Sequence, residues 1–422
     1  MTRIGIVSEY YDPEGGSAVV PGFIARALSR RGMEVEVLTG FPNYPGGKIF
    51  PGYRQRAYKR EVMGGIVVHR VPLYPSHNRR AGQRISSYAS FAASSAIGMH
   101  HLRHCDAILV FSTPVSVGFG PAVRKTFRRQ PVVTMIQDLW PETLLHSGFA
   151  KNGFFWQSAQ KLALTLSNAI YNRSDAIAVI APGMIDALVD RGVNRRKIKL
   201  IHNWVPDEAL TAMGSSSDSI NIRKSKESLV VIYAGNLGQP QAARSIVDAA
   251  STLRGRDDIE FVIVGSGVLE RELRKHVKME GLDQVRFLGP KRMDEIPGLV
   301  AQADIQLVTL APRRIFEMTI PSKLQFSLGF GKAIVAAVSG DPANVAQESG
   351  AAIVCSPGSS EELANSISQA AALPRTQLEI MGRSGKEYFN KHFTEKVGGD
   401  ALADLLLTVI ADSPRKMQRK KS

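Results

Sequence analysis

The chain has 422 residues, 44% of them hydrophobic and 22% charged, with a formal net charge of +15. That length exceeds one ordinary core, and that composition excludes a disordered chain, so two globular domains are expected. No apolar run reaches the roughly 18 residues needed to span a bilayer, Met1 leads straight into strand-like Arg3–Ser8 without a secretory leader, and Cys105 and Cys355 stand in no metal or redox spacing.

Short β-branched runs alternate with helical patterns from end to end, the mark of parallel sheets covered by helices on both faces. In the first half the predicted strands are Arg3–Val7, Glu34–Leu38, Ile66–Arg70, Ala107–Phe111, Val132–Ile136, Ala176–Ile180 and Lys199–Ile201. In the second half they are Leu229–Tyr233, Glu260–Val264, Val285–Leu288, Ile305–Val308, Ile334–Ala337 and Ala352–Cys355. The small-polar cluster Met213–Ser219, just after Asn203-Trp-Val-Pro-Asp207, marks a linker. The expected division is therefore 1–204, a linker at 205–228, 229–395, a helix at 396–412 returning to the first domain, and a basic disordered tail at 413–422. Asp106, Asp175 and Asp304 each precede a buried strand and read as turn or cap groups, with no catalytic part.

The charge is lopsided. Residues 1–205 carry 26 Lys+Arg against 12 Asp+Glu, whereas residues 206–412 carry 22 against 26. A basic half beside a neutral one fits an anionic surface on one side and a small ligand on the other, or simple solubility charge. Arg79-Arg80, Arg84 with the helical stretch Ile85–Met99, the cluster Arg124–Arg129, and Phe154-Phe-Trp156 beside Lys151 and Lys161 are the candidate interfacial elements. A core helix with solvated ends is the equal alternative. His100, His101 and His104 stand at helical spacing without a nearby carboxylate in sequence, and read as a polar or cationic face. Basic clusters lack interleaved aromatics, so nucleic acid is not an expected partner.

Three places carry the chemistry. After the first strand, Glu9-Tyr-Tyr-Asp-Pro-Glu-Gly-Gly-Ser17 puts Gly15 and Gly16 before an amphipathic helix running from near Ala18 to Gly32. Such a turn lets backbone amides approach an anionic or polyhydroxyl ligand, although a plain tight turn is the competing reading. In the second half, Gly235, Asn236 and Gly238 follow one strand and Gly265-Ser-Gly267 the next. Two glycine loops at one sheet edge describe a nucleotide crevice. Glu270 occupies the place of a third glycine, which argues against a nicotinamide cofactor. Finally, Pro321-Ser322-Lys323 at a helix start combines amides, a hydroxyl and an ammonium, a constellation suited to a diphosphate, with Glu317 just upstream. An ordinary helix start is the alternative. Walker A, Gly-x-Ser-x-Gly and His-Glu-x-x-His motifs are absent, and so is Asp-x-Asp, which would hold a diphosphate through a metal.

The first strand with its Gly-Gly loop, Thr39-Gly-Phe-Pro-Asn-Tyr-Pro-Gly46, Gln137-Asp-Leu-Trp-Pro-Glu142, Tyr233-Ala-Gly-Asn-Leu-Gly238 and Pro321-Ser-Lys323 together resemble the "glycosyl transferases group 1" family, over about residues 3–395. This is the large retaining GT-B class of family four, and within it the chain is most similar to bacterial L-fucosamine transferases of O-antigen, capsule and colanic-acid assembly. The resemblance implies an α/β fold of GT-B type, two doubly wound parallel-sheet (Rossmann-like) domains facing across a cleft, with the nucleotide sugar mainly on the C-terminal domain and the acceptor mainly on the N-terminal one. It implies Glu317, Lys323 and Asp138 as catalytic residues, and Gly15, Gly16, Gly235, Asn236, Gly238, Gly265, Ser322 and Gln325 as donor-binding ones. Departures from the wider family stand at Met318, Phe326, Asn236, Gln241 and Gln137; they leave Lys323 as the leading cation for the diphosphate, with Lys291 and Arg244 behind it.

The expected activity is transfer, with retention and without a metal or other cofactor, of a sugar, an N-acetylated amino sugar, from a UDP-sugar to an undecaprenyl-diphosphate-linked saccharide. The expected location is the cytoplasm, peripheral on the inner face of the membrane through the N-terminal domain. The alternatives are a catalytically weakened GT-B scaffold of a glycan-assembly complex, or a nucleotide-sugar epimerase of the same fold.

Overall fold

A computed structural model describes residues 1–76, 81–140, 154–207, 221–225, 227–292 and 294–413. Arg79, Arg80, Lys151, most of the expected linker and the tail from 414 lie outside these residues.

The chain divides into two compact units, Met1–Ile201 with Gly398–Ser422, and His202–Val397. The first is built on strands β1 (Arg3–Val7), β2 (Glu34–Gly40), β3 (Lys59–Met63), β4 (Ile66–Val71), β5 (Ala107–Ser112), β6 (Val132–Ile136), β7 (Ala176–Val179) and β8 (Ile198–Leu200). Their order is β3-β4-β2-β1-β5-β6-β7-β8. All neighbours are parallel except the β3/β4 hairpin. The second unit holds β9 (Leu229–Ala234), β10 (Ile259–Val264), β11 (Val285–Gly289), β12 (Ile305–Thr309), β13 (Ala333–Ala337) and β14 (Ala352–Cys355), all parallel, in the order β11-β10-β9-β12-β13-β14. Both sheets reverse direction of winding beside their first strand, between β1 and β5 and between β9 and β12, and ligands of such sheets bind at the strands' carboxyl ends there.

All thirteen predicted strands are present. Parallel strands covered on both faces must be apolar throughout, and β1, β5, β6, β9, β10, β12 and β13 are buried almost without exception. The unpredicted strand is β3, an edge of Lys-Arg-Glu-Val-Met that alternates between partly buried and exposed. It closes on β4 through Gly64-Gly65, both at positive φ (55° and 82°), the backbone a two-residue hairpin turn requires.

The three Asp residues preceding buried strands share one device. Asp106 accepts the amide of Arg3 (2.9 Å), Asp175 that of Val132 (2.8 Å) and Asp304 that of Val230 (2.8 Å), while each Asp amide donates back to the same residue's carbonyl. Each carboxylate thus satisfies an amide at the start of the neighbouring parallel strand, a structural role.

The chain passes between units at Ile201/His202 and again at Val397/Gly398. Inside the second unit the two passing segments pair, Val205 with Thr394, and the Val205 amide donates to Phe393 O (3.1 Å). The last helix, Glu395–Ala411, then runs on into the first unit, where Asp400 pairs with Arg31 at 2.5 Å.

Candidate functional site

In the second unit four loops interlock at the sheet's carboxyl edge. Gly235, after β9, has φ 152°, and a Cβ there would overlap Lys323 Cε and come within 2.5 Å of its Nζ. Gly265, after β10, has φ 131°, and a Cβ would overlap the Gly235 carbonyl; one at Gly267 would overlap Leu237 O. The glycines are therefore required for close packing of the two loops and the lysine. Across the switch point, Thr309 Oγ1 donates to Gln241 O (2.6 Å) and the Ala311 amide to Pro240 O (2.9 Å), tying the loop after β12 to the loop after β9. Gly340, after β13, has φ 67° and leaves no room for a Cβ against the Glu317 backbone.

Lys323 is the centre of this edge. It is the second residue of the helix Ser322–Phe330, and Pro321 serves as its N-cap with an extended ψ of 138°, so the helix begins one residue later than expected. Its Nζ donates to the Tyr233 hydroxyl and lies 3.9 Å from the Tyr233 ring centroid. Burial holds the ammonium down to about 7, far below an ordinary lysine, because no carboxylate offsets the lost hydration. Ser322 is exposed beside it, and Glu317 is exposed at the end of the short helix Arg314–Glu317. Asn236 and Gln241 hydrogen-bond to each other (2.9 Å), and Gly238 leaves room for that contact.

Gln325, expected at the donor, is buried, and its Nε2 donates to Asn203 O at 2.6 Å, which braces the segment that enters this unit. The helix turn that aims Lys323 at the loops carries Gln325 to a different face. Arg244 is taken by Glu272 and Lys291 lies 3.8 Å from Glu295, which leaves Lys323 the least neutralised of the three cations.

The first unit's switch point is built differently. Glu14 is buried and accepts three amides, Tyr11 (3.0 Å), Asn43 (2.7 Å) and Tyr44 (2.7 Å), which locks the Phe41–Gly46 loop onto the loop after β1. Arg70, with no exposed surface, donates to Gly40 O (2.9 Å) and Asp12 O (2.5 Å) and pairs with Glu61. Between them they fix Gly15 and Gly16, the latter at φ 64° with the Tyr44 ring against it.

Beside that turn lies a polar cluster the sequence did not reveal. Glu9 is buried, its carboxylate bonds the Tyr10 hydroxyl, and its Oε2 has no partner among the described residues. Burial pushes this carboxyl up to about 8. Ser112 Oγ at the end of β5, Thr113 Oγ1 and Trp140 Nε1 are equally buried and unpartnered. Tyr88 packs edge-on to Trp140 (5.5 Å) within electrostatic reach of Glu9 and Asp138, and burial raises the Asp138 carboxyl. Buried groups without partners are costly in a finished structure, and carboxylates, hydroxyls and an indole N–H beside aromatic faces are the chemistry that recognises sugar hydroxyls.

Of the three histidines His100 and His104 are exposed, as expected of a polar face, and His101 departs from a cationic one. His104 Nε2 bonds Glu36 Oε1 (2.6 Å) and His69 Nε2 bonds Glu36 Oε2 (2.8 Å), while His101 stacks on Tyr58 at 4.0 Å. Burial, then neighbouring His100, lowers His101 to about 4, so it is no cation at neutral pH. The carboxylate comes from β2, 68 residues before His104, which local spacing does not show. Among the described residues no three His, Cys, Asp or Glu gather as a metal site, and no helix is long and apolar enough to cross a membrane.

Residues 15–204 match the glycosyl transferase 4-like domain, and residues 228–372 match the glycosyl transferases group 1 family. The chain is 27% identical over 379 residues to WcaI of Escherichia coli (strain K12), described as a colanic acid biosynthesis glycosyl transferase, spanning 86% of this chain and 91% of that one. It is 26% identical over 285 residues to WbjE of Pseudomonas aeruginosa, described as a glycosyltransferase, spanning 67% and 69%. Anabaena HepE, solved in complex with UDP, shares the fold with a TM-score of 0.69 over 97% of this chain and all of that one, at 16% identity. Two Rossmann-like sheets, each with its ligand-facing loops at the switch point, and matches that between them span most of both units make this chain a member of the group 1 glycosyltransferases of GT-B fold.

Proposed function

We propose that the protein is a retaining glycosyltransferase of bacterial surface-polysaccharide assembly, moving a sugar from a UDP-sugar to a polyprenyl-diphosphate-linked glycan. The observation that carries the reading is Lys323, held against Gly235 at a helix N-terminus beside two interlocked glycine loops. A largely enclosed lysine that burial holds down to about 7, with no carboxylate partner among the described residues, is poised for an arriving dianion, which raises its proton affinity and is in turn neutralised by it. WcaI, described in colanic acid biosynthesis, and HepE, solved with UDP, support the pathway class and the nucleotide.

In this reading the donor's diphosphate leaves toward Lys323 and the amides at Ser322, an oxocarbenium-like centre develops, and the acceptor hydroxyl attacks from the same face. The departing diphosphate takes the proton, so the protein supplies positioning and electrostatics. Glu317 contacts the donor sugar, and no metal is needed. The first unit offers Glu9 and Asp138 to hydroxyls of an acceptor, and the sugar moved is an N-acetylated amino sugar, as in the branch the sequence resembles.

The test is a thermal-shift panel of UDP-, GDP- and dTDP-sugars followed by transfer to a polyprenyl-diphosphate saccharide, with EDTA present and the product anomer read by NMR. Stabilisation by UDP-sugars and an unchanged anomeric configuration are expected. An inverted product or an EDTA-sensitive rate would refute that part of the mechanism, and no response to any nucleotide would refute the donor site.

Peripheral attachment to the inner face of the cytoplasmic membrane is part of the proposal. Ile85 and Ile97 on the helix Ala81–Gly98, Phe119 and Phe127 on Phe119–Arg128, and Leu162 and Leu166 on Phe154–Arg173 are exposed, in the half that carries the positive charge. One observation favours the scaffold reading: the helix Ser322–Phe330 carries no carboxylate for a ribose, and Phe326 there packs near Phe330 (6.1 Å between ring centroids). Turnover by the purified chain decides against it.

A further inference from the structure

We propose that Tyr233 is the residue that positions Lys323 for the donor's diphosphate, by holding the lysine and the carbonyl of Asn236 on one hydroxyl group; this rests on the donor-site reading above. Tyr233 is the penultimate residue of β9, its side chain has no exposed surface, and its ring belongs to the central core of the second unit. The ring is therefore immobile, and only the hydroxyl reaches the carboxyl edge of the sheet.

That hydroxyl has a fixed polarity. It donates its single proton to Asn236 O at 2.7 Å, because a carbonyl can only accept. Its lone pairs then face Lys323 Nζ, which donates to it. The lysine stem is enclosed from two sides: the Tyr233 ring lies 3.9 Å from Nζ, and the bare Cα of Gly235 admits Cε where any other residue would place a Cβ. A lysine ordinarily samples many rotamers and loses that freedom on binding an anion. Here the freedom is already lost in the unliganded chain, so the diphosphate meets a preorganised donor. The same hydroxyl fixes the Asn236 carbonyl, and with it the glycine loop, to the start of the helix Ser322–Phe330. In sequence these groups lie 90 residues apart.

A phenylalanine would fill the same core volume and remove only the shared oxygen. Calorimetric titration of UDP into the wild-type chain, Tyr233→Phe, Lys323→Ala and the double variant tests the proposal. Tyr233→Phe is expected to bind UDP roughly ten-fold more weakly, the size of a lost hydrogen bond to a charged group. In the Lys323→Ala background the same change is expected to have no further effect, because Tyr233 acts through the lysine. UDP affinity of Tyr233→Phe within about twofold of wild type, or losses that simply multiply in the double variant, would overturn the proposal. Gly235→Ala, which drives the lysine from the same slot by the opposite wall, is expected to reproduce the loss and its non-additivity, and keeps the test open should Tyr233→Phe not fold. A Lys323→Ala loss without a Tyr233→Phe loss would leave the donor site standing and remove only the positioning role. A folded wild-type chain that ignores UDP would overturn both.

Discussion

The two sheets share a winding pattern and differ at the edge that faces ligand. After β9, β10, β12 and β13 the loops are short, glycine-packed and organised round one lysine that has lost most of its affinity for a proton. After β1, β5 and β6 the chain instead gathers Glu9, Ser112, Asp138 and Trp140, with Oε2 of Glu9, Oγ of Ser112 and Nε1 of Trp140 lacking partners among the described residues. In the proposed function the first of these edges takes negative charge and the second neutral hydroxyls. A common topology fixes where ligands bind, and the side chains delivered to that edge fix which ligands they are.

The comparison breaks most visibly at Lys323. If the second edge handles the leaving diphosphate, Lys323→Ala loses about 10²–10³ in kcat/KM, the scale of removing a group that stabilises transition-state charge. Initial rates with a UDP-sugar measure it, and a rate within threefold of wild type would place the anion elsewhere.

Glu9→Gln probes the other edge, with a smaller effect in two directions. Because burial holds the folded carboxyl at about 8 against an ordinary 4.5, the folded chain keeps a proton that the unfolded chain releases between those pH values. Its contribution to stability therefore falls as pH rises through that window, and glutamine abolishes the fall. The variant is expected to melt a few degrees above wild type at pH 8 and level with it at pH 5, while its acceptor KM rises roughly ten-fold and its donor KM stays unchanged. A melting difference that is the same at both pH values would show that Glu9 does not carry the buried proton.

Proton linkage gives a subtler distinction. The folded Lys323 sits at about 7, below its ordinary 10.5, so the unliganded chain gains stability as pH rises between the two. Diphosphate binding reverses the shift, and UDP titrated near pH 8 should take up a proton, approaching ~1 per site. Calorimetry in buffers of different ionisation heat reads the uptake, which Lys323→Ala should abolish. Smallest is the effect expected of Asp175→Ala, which removes the cap on Val132: a stability cost of about 1–2 kcal/mol with kcat unchanged. A fall in kcat there would mean that the strand-start Asp residues do more than close the sheet.

Thirteen of the fourteen strands among the described residues were legible as short β-branched runs, most continuously where a parallel strand is buried on both faces, as in β5, β6, β10, β12 and β13. The edge strand Lys59–Met63 escaped because half of it meets water, and only Gly64-Gly65 announced the hairpin. The glycine loops and the Pro321–Lys323 helix start were legible for the same local reason, since backbone freedom and a helix terminus are encoded in adjacent residues.

Local sequence alone therefore carried the two-domain α/β architecture, the family, and the glycine loops at the sheet edges. Only the packed chain shows that Gly235 is a slot for Lys323, that Tyr233 holds that lysine, that Gln325 turns to Asn203, that Glu36 gathers His69 and His104, and that Glu9 is buried with Oε2 unpartnered among the described residues. Each depends on groups that lie tens of residues apart in the chain or on the loss of water around one side chain. Neither is a property of a local run of residues; both arise only when the sheets close and burial sets which polar groups still need a partner.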